Sequence, residues 1–234
     1  MKYDPGSKTL TLDKATIKAT GEAYGGLDIQ NHIDGLTIRL VGNNTITSEK
    51  SGGIYNKKGK TLTITGNGEL TIEGSTTPGN KFHQNGIRNL GTIIVNGCTV
   101  KASGITSGLV AGYWKFDRCV VKAKGGKDSD EEVRGSIAWT WNEQPELIGC
   151  EIIAPEGAYW KKFERDGHSY YSIFGKDDKI VTDWVTIADP AGINTLNADA
   201  KQGIYTLRGV KLNGEGKDLP KGIYIVNGKK VIKK

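Results

Sequence analysis

The chain has 234 residues, 33 of them glycine, with one methionine and three cysteines. Glycine at about twice its usual share of roughly 7 per cent, without a three-residue period, excludes collagen. Regularly placed Ile, Leu and Val exclude a disordered chain, and no apolar run approaches the roughly 20 residues of a membrane-spanning helix. The formal net charge of +6 is unevenly placed: residues 201–234 hold nine basic and two acidic residues, whereas residues 1–200 hold 23 and 24. A neutral body with a basic end does not fit the footprint of a nucleic-acid binder, so no nucleic-acid partner is expected.

Met1-Lys2-Tyr3-Asp4-Pro5-Gly6 contains no apolar targeting stretch. That fits a cytosolic chain, or one in which Met1 stands in place of a removed leader. A partial unit follows, with Thr9-Leu10-Thr11-Leu12 and then Ala15-Thr16-Ile17-Lys18-Ala19. From there three short pieces recur in one order. Gly53-Ile54-Tyr55-Asn56, Thr61-Leu62-Thr63-Ile64 and Leu70-Thr71-Ile72-Glu73 are echoed by Gly86-Ile87-Arg88-Asn89, Thr92-Ile93-Ile94-Val95 and Thr99-Val100-Lys101-Ala102. Units open at Gly26, Gly53, Gly86, Gly108 and Gly135, at intervals of 27, 33, 22 and 27 residues. Periods of this length mark solenoids, propellers or arrays. Each piece alternates apolar with polar residues, the two-residue period of a strand, and Gly, Asn and Asp sit between pieces as turn residues. Four-stranded propeller blades need longer periods. The expected fold is all-β: a right-handed, three-faced parallel β-helix of about five to six rungs, whose stacked turns bury one continuous column.

Cys98, Cys119 and Cys150 each precede the third piece of a unit, a place assigned in earlier units to Ala15, Asn44 and Leu70. This spacing predicts an inward ladder of free thiols acting as small hydrophobes. Parallel side chains do not suit a disulfide, and spacings of 21 and 31 do not suit zinc.

The pattern changes after Pro155. Residues 158–195 are aromatic and charged, and are expected to form irregular strands capping the open end of the core before a linker at Ala188-Asp189-Pro190-Ala191-Gly192. Residues 196–234 read as a small basic β-hairpin module with Asn227-Gly228 as its turn. The organisation expected is residues 1–157 as β-helix, 158–195 as cap and linker, and 196–234 as hairpin module.

Aromatic residues supply the candidate site. Trp139, Trp141, Trp114, Tyr113 and Trp160 cluster late in the chain, and Trp139 and Trp141 would share one face of a strand. Flat rings with a polar handle suit stacking on sugars, although the same rings also suit a wide core or cap. Asp128, Asp130 and Glu131 are weak calcium candidates without an EF-hand spacing. Otherwise no metal or cofactor is expected. His32, His83 and His168 are scattered, and no nucleophile elbow or phosphate-binding loop occurs.

Leu219-Pro220-Lys221-Gly222-Ile223-Tyr224-Ile225-Val226-Asn227-Gly228-Lys229-Lys230-Val231, after Ile204-Tyr205-Thr206-Leu207-Arg208-Gly209, resembles the C-terminal sorting modules of secreted Bacteroidetes proteins. The rungs, as in residues 62–74 and 93–104, resemble pectate-lyase-like β-helix proteins described as carbohydrate-binding or adhesive. The resemblance implies a secreted or cell-surface protein that meets polysaccharide or surface glycans. The Asn-Thr-Asp, Asp-Asp, Gly-His-Gly and Arg-x-Lys set of galacturonan hydrolases is not found on the rungs. The preferred expectation is a non-enzymatic glycan-binding or adhesive protein. The alternatives are a β-helix lyase or hydrolase using acidic residues around 117–134, and a purely structural scaffold.

Overall fold

The computed structural model describes residues 1–19, 29–49, 51–75, 84–126, 134–190, 204–206, 211–212, 222–226 and 229–233. Among these the secondary structure is all β. The chain divides into two compact units, Met1–Gly192 and Ile193–Lys234.

The first unit opens with β1 (Lys2–Asp4), β2 (Thr9–Asp13) and β3 (Thr16–Ala19). Four triplets follow: β4 (Ile29–Asn31), β5 (Leu36–Val41) and β6 (Asn43–Ser48); β7 (Ile54–Asn56), β8 (Thr61–Gly66) and β9 (Glu69–Glu73); β10 (Asn85–Asn89), β11 (Thr92–Asn96) and β12 (Thr99–Ser103); β13 (Ser107–Val110), β14 (Tyr113–Asp117) and β15 (Val120–Lys124). Three sheets arise because the first, second and third members of each triplet pair with their counterparts. The second-member sheet runs β1-β2-β5-β8-β11-β14-β18, the first-member sheet β16-β13-β10-β7-β4, and the third-member sheet β19-β22-β15-β12-β9-β6-β3. From β2 to β15 every pairing within them is parallel.

Register follows from the alternation. In β8, Leu62 and Ile64 are buried while Thr61, Thr63 and Thr65 stay half-exposed. Pairing without a slip aligns Leu36, Leu62, Ile93 and Trp114 in one inner column, and Ile38, Ile64, Val95 and Phe116 in the next. The first-member sheet contributes Ile29, Ile54, Ile87, Leu109 and Ile137. The third-member sheet contributes Ile46, Ile72, Ala102 and Ala123. Each buried Ile or Leu contributes about 1.5–3 kcal/mol relative to exposure. Recurrent glycines at the triplet starts are steric necessities. A Cβ on Gly86 would sit 2.7 Å from the Gly108 oxygen and 2.9 Å from the Ala102 Cβ.

Polar groups also stack inside. Asn31 Nδ2 donates to Asn56 Oδ1 at 2.8 Å, Asn56 Nδ2 donates to Asn89 Oδ1 at 2.9 Å, and Asn89 Nδ2 donates to the Tyr113 carbonyl at 2.8 Å. All three asparagines are almost fully buried. The ladder satisfies turn amides that would otherwise be stranded, such as the Ile33 and Gly91 N–H groups.

The last part of this unit departs from the rule. It comprises β16 (Ile137–Ala138), β17 (Thr140–Trp141), β18 (Glu146–Ile148), β19 (Glu151–Ala154), β20 (Tyr159–Arg165), β21 (His168–Phe174) and β22 (Val185–Ala188). Glu151-Ile152 does not stack on Val120-Val121 as the repeat suggests. Instead β22 enters between β15 and β19 and pairs antiparallel with both. Its Val185 and Ile187 are fully buried opposite Ala123 and Val121, so they extend the inner columns. β20 and β21 form a regular seven-residue antiparallel hairpin that joins β17. At the opposite edge of the second-member sheet, β1 lies antiparallel on β2, a pairing the repeat did not signal.

The second unit contains β23 (Ile204–Thr206), β24 (Lys211–Leu212), β25 (Gly222–Val226) and β26 (Lys229–Lys233), in the antiparallel order β24-β23-β25-β26. Val226 pairs with Lys229. The expected turn residues Asn227 and Gly228 lie outside the described residues.

Candidate functional site

The aromatic candidates separate into two groups. Trp114 is a core residue. It occupies the inward column beside Ile93, is 4% exposed, and donates its indole N–H to the Ala111 carbonyl at 2.5 Å. The alternation Tyr113-Trp114-Lys115-Phe116 sends Trp114 and Phe116 inward and leaves Tyr113 and Lys115 half-exposed on the outer face. Trp160 faces Ile173 across the hairpin and packs against the core. Neither is a ligand platform.

Trp139 and Trp141 are both half-exposed, but they do not share a strand face in the expected way. Trp139 separates β16 from β17 with a left-handed φ of 59°, which breaks the pleat between them. Its N–H donates to the Ser172 Oγ at 3.0 Å, and its ring lies 4.3 Å from that of Tyr170, with the Arg165 guanidinium 5.6 Å above. Trp141 stands opposite Tyr170 in the β17–β21 register and meets the Tyr113 ring edge-on at 6.0 Å. Tyr170 therefore joins the two tryptophans. Asn142 Nδ2 donates to the Tyr113 hydroxyl at 2.8 Å.

An open groove of about 480 Å³ lies on the outer face of the second-member sheet at this end. Thr92, Ile94, Tyr113 and Lys115 form its floor with the edge of Trp114, and Glu143, Gln144 and Glu146 its side. The loop that walls it is fixed at its start by two backbone hydrogen bonds. The Trp141 N–H donates to the Gly112 carbonyl at 2.9 Å and the Asn142 N–H to the Ser169 carbonyl at 2.7 Å. Lys115 Nζ pairs with Glu146 Oε2 at 3.0 Å. An aromatic floor, several amide and carboxylate groups and an open mouth make a concave surface able to hold a polar ring-shaped ligand.

The acidic alternatives fare differently. Asp117 is 9% exposed and held by Arg118 Nε at 3.0 Å and by Asn96 Nδ2 at 2.8 Å. Asp128, Asp130 and Glu131 lie outside the described residues, as does His83. Among the described residues no group of three metal-binding side chains converges. His32 and His168 are exposed. Asp178 accepts two hydrogen bonds of 2.8 Å from Lys161 and one from Tyr159, and these hold its carboxyl below the usual range, most strongly through Lys161.

The three cysteines are buried and free. Burial pushes the Cys98 thiol up to about 12 and raises those of Cys119 and Cys150. Their register differs from that expected by two residues. Thr99 stands opposite Glu69, so Cys98 aligns with Gly68 and Gly42, while Asn44 and Leu70 align with Val100.

One surface was not singled out by sequence reasoning. Trp184, just ahead of β22, is half-exposed on the outer side of the third-member sheet, with Lys101 Nζ 4.9 Å and Lys124 Nζ 6.0 Å from its ring centre. The Asn ladder was also missed, although the recurring Gly-Ile-x-Asn in two units carries its signal. No family model, no curated protein and no solved structure matches this chain.

Proposed function

We propose that the first unit is a right-handed, three-faced parallel β-helix that serves as a non-enzymatic glycan-binding or adhesive module on a secreted or cell-surface protein. The cyclic visiting order of the three parallel sheets supports the coil, and the strong preference of parallel crossovers for one hand supports right-handedness. The observation that carries the function is the groove floored by Tyr113, with Trp141 braced edge-on against that ring and amide and carboxylate groups at its rim. An aromatic floor stacks on the apolar face of a sugar, while Gln144, Glu143 and Thr92 reach its hydroxyls. The basic second unit, with its resemblance to export modules, supports a location outside the cytoplasm.

A glycan array followed by calorimetry tests this reading. Binding of at least one glycan is expected, weakened about tenfold or more in Tyr113→Ala and Trp141→Ala and unchanged in Lys176→Ala, in the turn after the hairpin. No binding to any glycan would leave a structural scaffold. Release of unsaturated uronides or reducing sugar from polysaccharide would replace the binder with an enzyme.

A further inference from the structure

A second surface lies on the outer face of the third-member sheet, on the same rungs as the groove but on a different sheet. Lys101 on β12 stands directly opposite Lys122 on β15, and Lys124 stands opposite Ser103 two residues on. Parallel strands lie about 4.8 Å apart, and like charges directly opposite each other destabilise a sheet. Among the described residues no carboxylate stands opposite this pair. Glu69 and Glu73 on the neighbouring strand oppose Thr99 and Ser103, Thr186 opposes Lys122 on the other side, and Glu151 opposes Ala188. Asp183 pairs with Lys124 alone, at 2.8 Å. The group that gathers the cations is an aromatic ring: Trp184 receives Lys101 at 4.9 Å and Lys124 at 6.0 Å. It reaches this place only because β22 enters the sheet antiparallel, and the Asp183 that precedes it is anchored by Ser136 Oγ on its carbonyl at 2.5 Å.

We infer that Lys101, Lys122, Lys124 and Trp184 form a binding site for the sulfate or phosphate esters of an anionic surface polymer. Residues 1–200 carry nearly balanced charge, so the three lysines are a local concentration rather than part of a basic body. Ammonium groups act as point charges suited to tetrahedral oxyanions, whereas planar carboxylates favour the arginine fork, and no arginine belongs to this group. The indole ring holds the ammoniums in place and offers a face for the sugar or polyol between esters. The site does not depend on the glycan groove.

Dextran sulfate and a phosphomannan, with polygalacturonate as the carboxylate comparator, are titrated onto the full chain at low and high salt. Three further proteins are needed: Lys101→Gln with Lys122→Gln, a tail variant with Lys229, Lys230, Lys233 and Lys234 each changed to Gln, and Trp141→Ala. At low salt the chain binds at least one ester polymer more tightly than polygalacturonate, and whichever ester binds names the source. The double variant binds about tenfold more weakly or worse, melts no lower than the parent, and loses most of the salt dependence. The tail variant and Trp141→Ala keep the binding. Equal affinity in the double variant, loss in the tail variant alone, or polygalacturonate binding as tightly as both esters would each overturn the assignment. A lowered melting temperature in the double variant would do the same, because it would make the lysines structural.

Discussion

From β4 to β15 the first unit repeats one arrangement, and from β16 to β22 it abandons it. In the repeating part every strand meets its counterpart in parallel, inner columns of apolar residues run unbroken from Ile, Leu and Val to Trp114, Phe116 and Ala123, and glycine recurs where backbones approach. In the final part Trp139 takes a left-handed conformation, β22 enters against the direction of its neighbours, and an antiparallel hairpin joins β17. The half-exposed tryptophans, the groove and the lysine–tryptophan group all depend on this departure. Stacked identical pieces give a flat outer face with alternating side chains, which is stable but offers little concavity. An interrupted end must satisfy edge strands by other means, and in doing so brings distant residues together.

The largest test of this contrast is in the columns. Phe116 is fully buried between Val95 and Leu147. Phe116→Ala removes a ring where stacked neighbours cannot close in, and should cost about 3–5 kcal/mol in chemical denaturation. Phe163→Ala, on the half-exposed hairpin, should cost markedly less. Equal losses would show that the final part is as tightly integrated as the columns.

Next is the asparagine ladder. Asn56→Ala removes four hydrogen bonds and strands the Asn31 amide, while Asn89 Oδ1 keeps the Gly91 N–H and the Lys60 carbonyl keeps the Thr92 N–H. A loss of about 2–4 kcal/mol is expected, about 1–3 from the amide left alone and about 0.5–1.5 from each further bond lost. Asn31→Ala, at the ladder's end, should cost less. A smaller loss at Asn56 than at Asn31 would mean that the column does not act as a connected chain.

Trp139 allows a finer comparison. A side chain at φ 59° is strained and glycine is not. Trp139→Gly should therefore be about 1 kcal/mol more stable than Trp139→Ala, a reversal of the usual order. If alanine proves the more stable, the left-handed turn is not a fixed feature of the break.

How far the sequence disclosed this molecule follows the same division. The alternation in Thr61-Leu62-Thr63-Ile64 and its echoes were enough to place the three parallel sheets and most of the register. Inward and outward positions in Tyr113-Trp114-Lys115-Phe116 were equally readable, and following them would have removed Trp114 from the aromatic candidates. The insertion of β22 was not readable. Val185-Thr186-Ile187 alternates like any rung strand, and nothing local tells whether it stacks in parallel after β19 or turns back between β15 and β19. Trp139 misled for a related reason: a two-residue spacing implies a shared face only where the pleat continues, and a tryptophan does not advertise a left-handed backbone. The cysteine register erred by two residues because a β-column preserves its inward face under a two-residue slip. Glycine at positions 42 and 68 is what reveals the true alignment with Cys98, since a Cβ at Gly68 would lie 2.4 Å from the Gly42 oxygen.

The smallest effect at neutral pH comes from those thiols. Burial raises Cys98 from an ordinary value of 9.0 to about 12, and Cys119 and Cys150 move in the same direction. A raised thiol pKa means that the folded state favours the protonated form. Its contribution is fully present below pH 9, and is lost as unfolded thiols ionise while the folded Cys98 stays neutral up to about pH 12. Stability should therefore be flat in this respect between pH 6 and 8, and fall with a steepening slope above about pH 9. Cys98→Ala should flatten that fall while lowering stability modestly at pH 7. A thiol reagent should react with the unfolded chain and not with the native one at pH 8. Rapid native labelling of Cys98 or Cys119 would place these residues at an opening edge of the stack, and would make the end of the third-member sheet, where β22 separates β15 from β19, the first part of the repeat to open.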